Sequence, residues 1–155
     1  MIKVQREDFD VGAELERLTV GRRDIGSVAT FIGLVRERLG DETIAAMTLE
    51  HYPGMTEKQL AQIEAEAQRR WPLQASLIIH RYGRLEPGER IVFVATASAH
   101  RQAALEACAF LIDWLKTKAP FWKLEETPAG PQWVEARDTD DAAAARWTPP
   151  RRVAE

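Results

Sequence analysis

The 155-residue chain contains a single cysteine, Cys108. One thiol excludes an internal disulfide and any cysteine-rich metal site. The three histidines, His51, His80 and His100, lie far apart in the sequence, and none has a second candidate ligand at a spacing typical of metal sites. We therefore expect neither a metal nor a resident cofactor.

Long hydrophobic runs are also absent. No run of 18 apolar residues occurs, so no segment is expected to cross a membrane as a helix. Residues 1–8 lack the apolar core of a signal peptide, which favours a cytoplasmic protein. The formal net charge is −3, so the chain has no overall positive charge with which to coat nucleic acid. Any affinity for an anion must come from a local cluster of cations.

Strand-like and helix-like segments alternate along the chain, which predicts a single α+β domain over residues 1–147 with a largely antiparallel or mixed sheet. Residues 148–155 hold two prolines and two arginines and are expected to form a mobile tail. Residues 26–35 are rich in β-branched residues and predict a buried strand. Residues 43–52 are expected to be its hairpin partner.

Two helices follow the predicted hairpin. The first is expected to begin at Thr56, with Gln59 three residues later completing a capping box. The second is expected to be capped by Ser98 and to place Leu105 and Cys108 on one apolar face. Burial on that face would keep the thiol unreactive, so core packing is the expected role of Cys108.

The end of the second helix carries the most unusual local composition of the chain. Residues 116–123 hold three lysines and two aromatic rings and no acid. A desolvated lysine with cationic neighbours has a lowered pKa and can exchange protons near neutral pH or attack a carbonyl. Lys116 and Lys123 are the candidates for such chemistry. The alternative is that lysines at a helix end only complement the helix dipole and remain in water.

Three further sites contain candidate anion ligands. His100 and Arg101 begin a helix directly after a strand, where free backbone N–H groups favour a phosphate or carboxylate. Arg36 ends a strand, and Arg137 follows a short strand-like segment. Taken alone, each of these residues also fits a hydrogen-bonded or solvated surface role.

Six segments together resemble the large, catalytic subunit of molybdopterin synthase, in the order found in that family and within residues 26–147. These segments are FIGLVR (31–36), LEHYPGM (49–55), IHR (79–81), SAHR (98–101), LKTKAPFWK (115–123) and WVEAR (133–137). The resemblance implies an α/β hammerhead-type fold with a small β subdomain.

The resemblance also implies an enzyme and its partners. A central homodimer would carry one small ubiquitin-like sulfur-carrier subunit at each end, giving a heterotetramer. The carrier's C-terminal Gly-Gly, activated as a thiocarboxylate, would enter a pocket and give its sulfur to cyclic pyranopterin monophosphate. Two rounds would build the dithiolene of molybdopterin, so the implied activity is that of a sulfurtransferase in molybdenum cofactor biosynthesis.

Site residues are implied position by position. Lys116 takes the position of the family's catalytic lysine and Lys123 that of a second essential lysine. Arg137 matches an arginine that reaches the site of the neighbouring protomer. Leu34 and Leu124 stand where basic residues are frequent in the family, so these two departures concern the charge at the periphery of the pocket. The full implied substrate-binding set is Val35, Arg36, His100, Arg101, Lys116, Lys123, Leu124, Glu125 and Arg137.

Two other functions fit parts of the sequence. A docking module could bind a ubiquitin-like tail or a phosphorylated ligand without turning it over. A nucleic-acid binder could use Trp122, Phe121 and the lysines as a stacking platform, although the overall acidity disfavours it. For the enzyme itself, the sequence leaves open whether Lys116 only moves protons or transiently holds the carrier's acyl end.

Overall fold

A computed structural model describes residues 1–135 and 137–149 of the chain. The elements follow one another in this order: β1 (Ile2–Gln5), α1 (Val11–Thr19), β2 (Ser27–Leu34), β3 (Arg38–Leu39), β4 (Glu42–Thr43), β5 (Ala46–His51), α2 (Met55–Arg70), β6 (Leu73–Arg81), β7 (Gly83–Leu85), β8 (Arg90–Ser98), α3 (Arg101–Lys118), β9 (Phe121–Thr127), β10 (Gly130–Trp133) and α4 (Asp138–Ala145).

The strands form two four-stranded sheets and one short hairpin. The first sheet has the order β1-β6-β8-β2, with β1 parallel to β6 and the other pairs antiparallel. The second sheet has the order β10-β9-β5-β7 and is antiparallel throughout. Strands β3 and β4 pair only with each other. The predicted α+β class, with a mixed sheet and a smaller β unit, is confirmed.

The main core lies between the first sheet and helices α2 and α3. Ile78 and Val94 of the sheet pack there with Leu60 of α2 and with Phe110 and Leu111 of α3. On the opposite face, α1 covers a smaller cluster formed by β6 and β8. Burial of apolar area on both faces fixes the position of the first sheet, and α3 with it, because each large buried side chain contributes about 1.5–3 kcal/mol.

The expected hairpin between residues 26–35 and 43–52 is wrong. Strand β2 pairs with β8, and β5 pairs with β7 and β9 in the other sheet. The charged segment between β2 and β5 contains the short β3–β4 hairpin. This segment therefore carries the chain from one sheet to the other.

Both predicted helix caps differ from the structure. Helix α2 has Gly54 as its N-cap, with a φ of 84°, and the Gly54 N–H donates to Glu57 Oε2 at 2.6 Å. Thr56 Oγ1 instead donates to the Tyr52 carbonyl at 2.9 Å. Helix α3 has His100 as its N-cap, while Ser98 Oγ donates to the Pro72 carbonyl at 2.8 Å.

The buried face of α3 includes Cys108, as expected, but not Leu105, which is 60% exposed. The lysines at positions 116 and 118 lie in the last turn of α3, and the helix ends before Pro120. Within the described residues, no helix is both long and apolar enough to cross a membrane. Most of the predicted tail, residues 150–155, lies outside the described residues, so the domain boundary at residue 147 stays a prediction.

Candidate active site

A cavity of about 670 Å³ opens where the C-terminal end of α3 meets β2, β9 and α4. We call it the lysine cavity, because Lys116 and Lys123 both line it. Its other cationic lining residues are Arg36 and Arg137. The segments that supply these four cations are separated by up to about a hundred residues in the sequence, and the fold brings them to one recess.

Local structure explains why the two lysines converge. Helix α3 ends at residue 118, which places Lys116 in its final turn. Side chains alternate between the two faces of β9, so Phe121, Lys123 and Glu125 line the cavity, whereas Trp122 and Leu124 do not. Pro120 lies between the end of α3 and the start of β9, because proline cannot continue the helix.

The pKa of Lys123 lies below its ordinary value of 10.5. Burial is the main cause, since it disfavours the ammonium form, and the nearby charge of Lys116 adds to it. Arg137 lowers the pKa further, while Asp140 and Glu125 oppose the shift. The lowered pKa brings the amine of Lys123 closer to its neutral form.

Three carboxylates also line the cavity, from Glu125, Glu135 and Asp140. Glu125 is only 7% exposed. The cavity is therefore cation-rich by a narrow margin, with four cationic groups against three anionic ones. Sequence reasoning did not select Glu135 or Asp140, because the fold brings them to the lysines from the segment after β10 and from α4.

His80 is a further lining residue to which sequence reasoning gave no role. Its ring stacks on that of Phe121 with centroids 3.7 Å apart and planes inclined by 16°. Its Nδ1 lies 2.8 Å from the Arg81 carbonyl oxygen. Burial, reinforced by the charge of Lys123, lowers the pKa of His80 to about 3. The imidazole is consequently neutral at physiological pH.

Four residues of the implied substrate-binding set do not line the cavity. Val35 is buried in a small core cluster, and Leu124 is on the other face of β9 from Lys123. His100 and Arg101 are exposed at the start of α3. With a rise of 1.5 Å per residue, Arg101 lies about 22 Å along the helix from Lys116. Their roles in substrate binding stay predictions.

Cys108 takes no part in the cavity. It lies on the buried face of α3, and burial raises the pKa of its thiol to about 11 despite a hydrogen bond with Thr96. Its expected place in the core is confirmed. In the described part of the chain, no cluster of three or more histidine, cysteine, aspartate or glutamate side chains has the geometry to hold a metal ion.

The α+β scaffold places two amines and two guanidinium groups around one recess, an arrangement that suits an anionic ligand and proton exchange. The model of the family described as "MoaE protein" matches residues 4–118. The chain belongs to this family.

Known relatives cover nearly the whole chain. The molybdopterin synthase catalytic subunit of Pseudomonas aeruginosa is 58% identical over 146 residues, which are 94% of this chain and 97% of that protein. The structure of the MoaE protein from Burkholderia ambifaria matches with a TM-score of 0.82 and 54% identity, over 95% of this chain and 97% of the other.

More distant structures retain the fold. Molybdopterin synthase from Staphylococcus aureus matches with a TM-score of 0.80 and 31% identity, over 86% of this chain and 96% of the other. A complex of subunits 1 and 2 of the molybdopterin-converting factor from Helicobacter pylori has a TM-score of 0.72 at 18% identity, over 88% and 91%. The likeness to the Helicobacter pylori complex shows the fold alone.

Proposed function

We propose that this chain is the catalytic subunit of a molybdopterin synthase and that the lysine cavity is its active site. The observation that carries the proposal is the convergence of Lys116 and Lys123, from two different elements, on one recess. The fold, the family and the names of the close relatives support it. The reaction is sulfur transfer from a small partner subunit to a precursor of molybdopterin.

The charge of the cavity suits both proposed substrates. Cyclic pyranopterin monophosphate carries a phosphate, and the Gly-Gly end of a ubiquitin-like carrier carries a thiocarboxylate. Arg36 and Arg137 supply guanidinium groups whose planar geometry fits such oxyanions. The three cavity carboxylates limit the excess positive charge of the cavity.

The lysines suit the chemistry. Loss of oxygen-bearing groups from the substrate and cleavage of the carrier's carbon–sulfur bond both require proton transfer. The lowered pKa of Lys123 brings its amine closer to the physiological range, and burial strengthens its electrostatic effect on a developing negative charge. Two roles fit Lys116: it exchanges protons with the substrate, or its amine transiently holds the carrier's acyl group.

The sulfur arrives on the carrier rather than on this chain. The buried thiol of Cys108, with its raised pKa, cannot serve as an accessible sulfur relay. The proposed carrier donates one sulfur per round, and two rounds complete the dithiolene. All of these steps are assigned to the cytoplasm.

A second copy of the chain completes the proposed site. His100 and Arg101 lie too far along α3 to reach the lysine cavity of their own chain. If they bind the substrate phosphate, they must do so in the cavity of the partner protomer. We therefore assign the chain to a homodimer with one carrier at each end.

The test is Lys116→Ala, with Lys118→Ala as the matched control. Both lysines lie in the last turn of α3, but Lys118 contacts the Trp114 ring at 4.4 Å and does not line the cavity. With thiocarboxylated carrier and pterin substrate, Lys116→Ala should form dithiolene at least about 100-fold more slowly, because general acid–base catalysis contributes that much or more. Thermal stability and carrier binding should stay close to wild type.

Two results would contradict the proposal. Full activity of Lys116→Ala would rule out the proposed role of Lys116. An equal loss of activity in Lys118→Ala would show that the effect is not specific to the cavity. Wild-type protein that binds the carrier and the pterin but forms no product would instead establish the docking-module alternative.

A further inference from the structure

His80 occupies an unusual position for a polar side chain. It is 4% exposed and follows Ile78 by two positions on β6, so its side chain lies on the same face of the first sheet as Ile78, the face that packs against α3. A polar group in such a place costs free energy unless its hydrogen-bonding atoms find partners. One ring nitrogen has a partner within the chain, and the position of the other carries the inference.

The tautomer of His80 follows from its contact with the backbone. Nδ1 lies 2.8 Å from the Arg81 carbonyl oxygen, which can only accept a hydrogen bond. Nδ1 therefore carries the proton, and Nε2 carries a lone pair. Stacking on Phe121 fixes the plane of the ring and hence the direction of that lone pair.

Nε2 is open to the lysine cavity. In the part of the chain that the structure describes, Gln74 Oε1 is the one side-chain nitrogen or oxygen atom that is both fully buried from solvent and without a hydrogen-bond partner. Nε2 of His80 also has no hydrogen-bond partner among the described residues. Since it is not one of the fully buried atoms without a partner, it retains some accessible surface. Because His80 lines the lysine cavity, we take the accessible side of its ring to be the side that faces this cavity, the proposed substrate site.

The cavity gives a neutral acceptor a distinct use. Its other side-chain acceptors are the carboxylates of Glu125, Glu135 and Asp140, and its cations only donate. A fourth carboxylate would repel an anionic ligand, whereas a neutral imidazole accepts a hydrogen bond without adding negative charge. Burial, supported by the nearby charge of Lys123, lowers the pKa of His80 and keeps the imidazole in this neutral form.

We propose that His80 is a substrate-binding residue whose Nε2 accepts a hydrogen bond from an N–H group of the pterin ring. This inference rests on the proposed function, which places a pterin in the cavity. A reduced pterin carries several N–H donors, whereas a phosphate anion carries none. The arginines and lysines would then hold the phosphate, and His80 would select the ring and fix its orientation.

Three substitutions separate this role from packing. His80→Gln can place an amide oxygen near the position of Nε2, so it keeps the acceptor. His80→Asn can keep the donor to the Arg81 carbonyl but is too short to replace Nε2. His80→Phe keeps a ring to stack on Phe121 and removes both nitrogens. Thermal melting of each variant reports how far the fold tolerates the change.

The measurement is calorimetric binding of the pterin substrate and, separately, of the carrier subunit to the full-length protein. His80→Asn and His80→Phe should bind the pterin about tenfold more weakly, as expected when a buried donor loses its acceptor. His80→Gln should stay within about threefold of wild type. Carrier binding should not change in any variant.

Each other outcome overturns the inference. Wild-type pterin affinity in His80→Asn and His80→Phe means that Nε2 has no ligand. Equal weakening in all three variants, Gln included, means that the ring acts only through packing. Weaker binding of the carrier alone assigns the donor to a glycine amide of its tail. If wild-type protein binds no pterin, the proposed function fails, and the inference fails with it.

Discussion

Gly26 offers a sharp test of how the start of α3 is held. The residue precedes β2, and its N–H donates to the Ser98 carbonyl at 3.0 Å. A β-carbon at this position would lie 2.1 Å from the carbonyl oxygen of Ala99. Both atoms are fixed by backbone, so Gly26→Ala must displace the Ala99 peptide by about 1 Å.

The expected cost follows from that displacement. Forced backbone shifts in a packed region cost about 1–3 kcal/mol. For a chain of this length, a loss of about 2 kcal/mol lowers Tm by roughly 4–8 °C. Because Ala99 precedes His100, the displacement also moves His100 and Arg101, while the lysine cavity at the other end of α3 is left in place.

Gly12→Ala is the control for Gly26→Ala. Gly12 lies in the first turn of α1, where an added β-carbon would meet Asp10 Oδ1 at 3.4 Å, an ordinary contact. Alanine is favoured over glycine in a helix, so Tm should stay constant or rise slightly. Calorimetry and the dithiolene assay should be run on both variants at a temperature where each is folded.

Two results would refute this reasoning. If Gly26→Ala melts within about 1 °C of wild type, the close approach to Ala99 does not constrain the loop. If it melts lower but retains full activity while folded, the position of His100 and Arg101 is immaterial to the reaction. Lower stability together with a loss of activity several-fold beyond that of Gly12→Ala supports both points.

Two further predictions concern titratable groups. Lys123 has a lowered pKa in the folded state, so the unfolded state binds more protons and wild-type stability should rise as pH increases from the folded pKa towards 10.5. Lys123→Met should therefore raise Tm by at least about 2 °C at pH 7 while abolishing activity, and a gain that does not shrink at alkaline pH would contradict the stated cause. Cys108→Ala should keep at least about half of the wild-type activity, because the thiol is buried and its pKa of about 11 leaves almost no thiolate at pH 8. A folded but inactive Cys108→Ala protein would point to a sulfur relay on this chain.

Periodicity was sufficient to predict most helices and strands but not the pairing of the strands. Strands β2 and β5 and helix α3 have strong local patterns and lie close to where the sequence places them. The partner of β2 could not be predicted, because β8 begins more than 50 residues after β2 ends and the nearer strand β5 belongs to the other sheet. Pairing depends on which apolar faces pack together, and no single segment specifies this.

The candidate site shows the same division between local and distant information. Lys116 and Lys123 could be selected because a helix end, a proline and a strand start follow one another within eight residues. Asp140 and Glu135 could not be selected from the sequence. Only the packing of α4 and of the segment before it next to the cavity brings them to the lysines. His80 reads as an ordinary strand residue in the sequence, and its importance depends on one stacked ring and one open nitrogen atom.

The geometry of α3 limits how the proposed synthase can be assembled. Buried residues along the whole helix, and a hydrogen bond of 2.6 Å from Thr96 Oγ1 to the Ala104 carbonyl, hold it rigidly against the first sheet. Arg101 and Lys116 consequently keep a separation of about 22 Å along the helix, which bending of the helix cannot close. A small phosphorylated substrate can contact both Arg101 and Lys116 only when the N-terminal end of α3 from a second chain lies at the lysine cavity of the first chain. The distance between the two ends of one helix therefore makes dimerisation a condition of substrate binding, if both ends serve the same ligand.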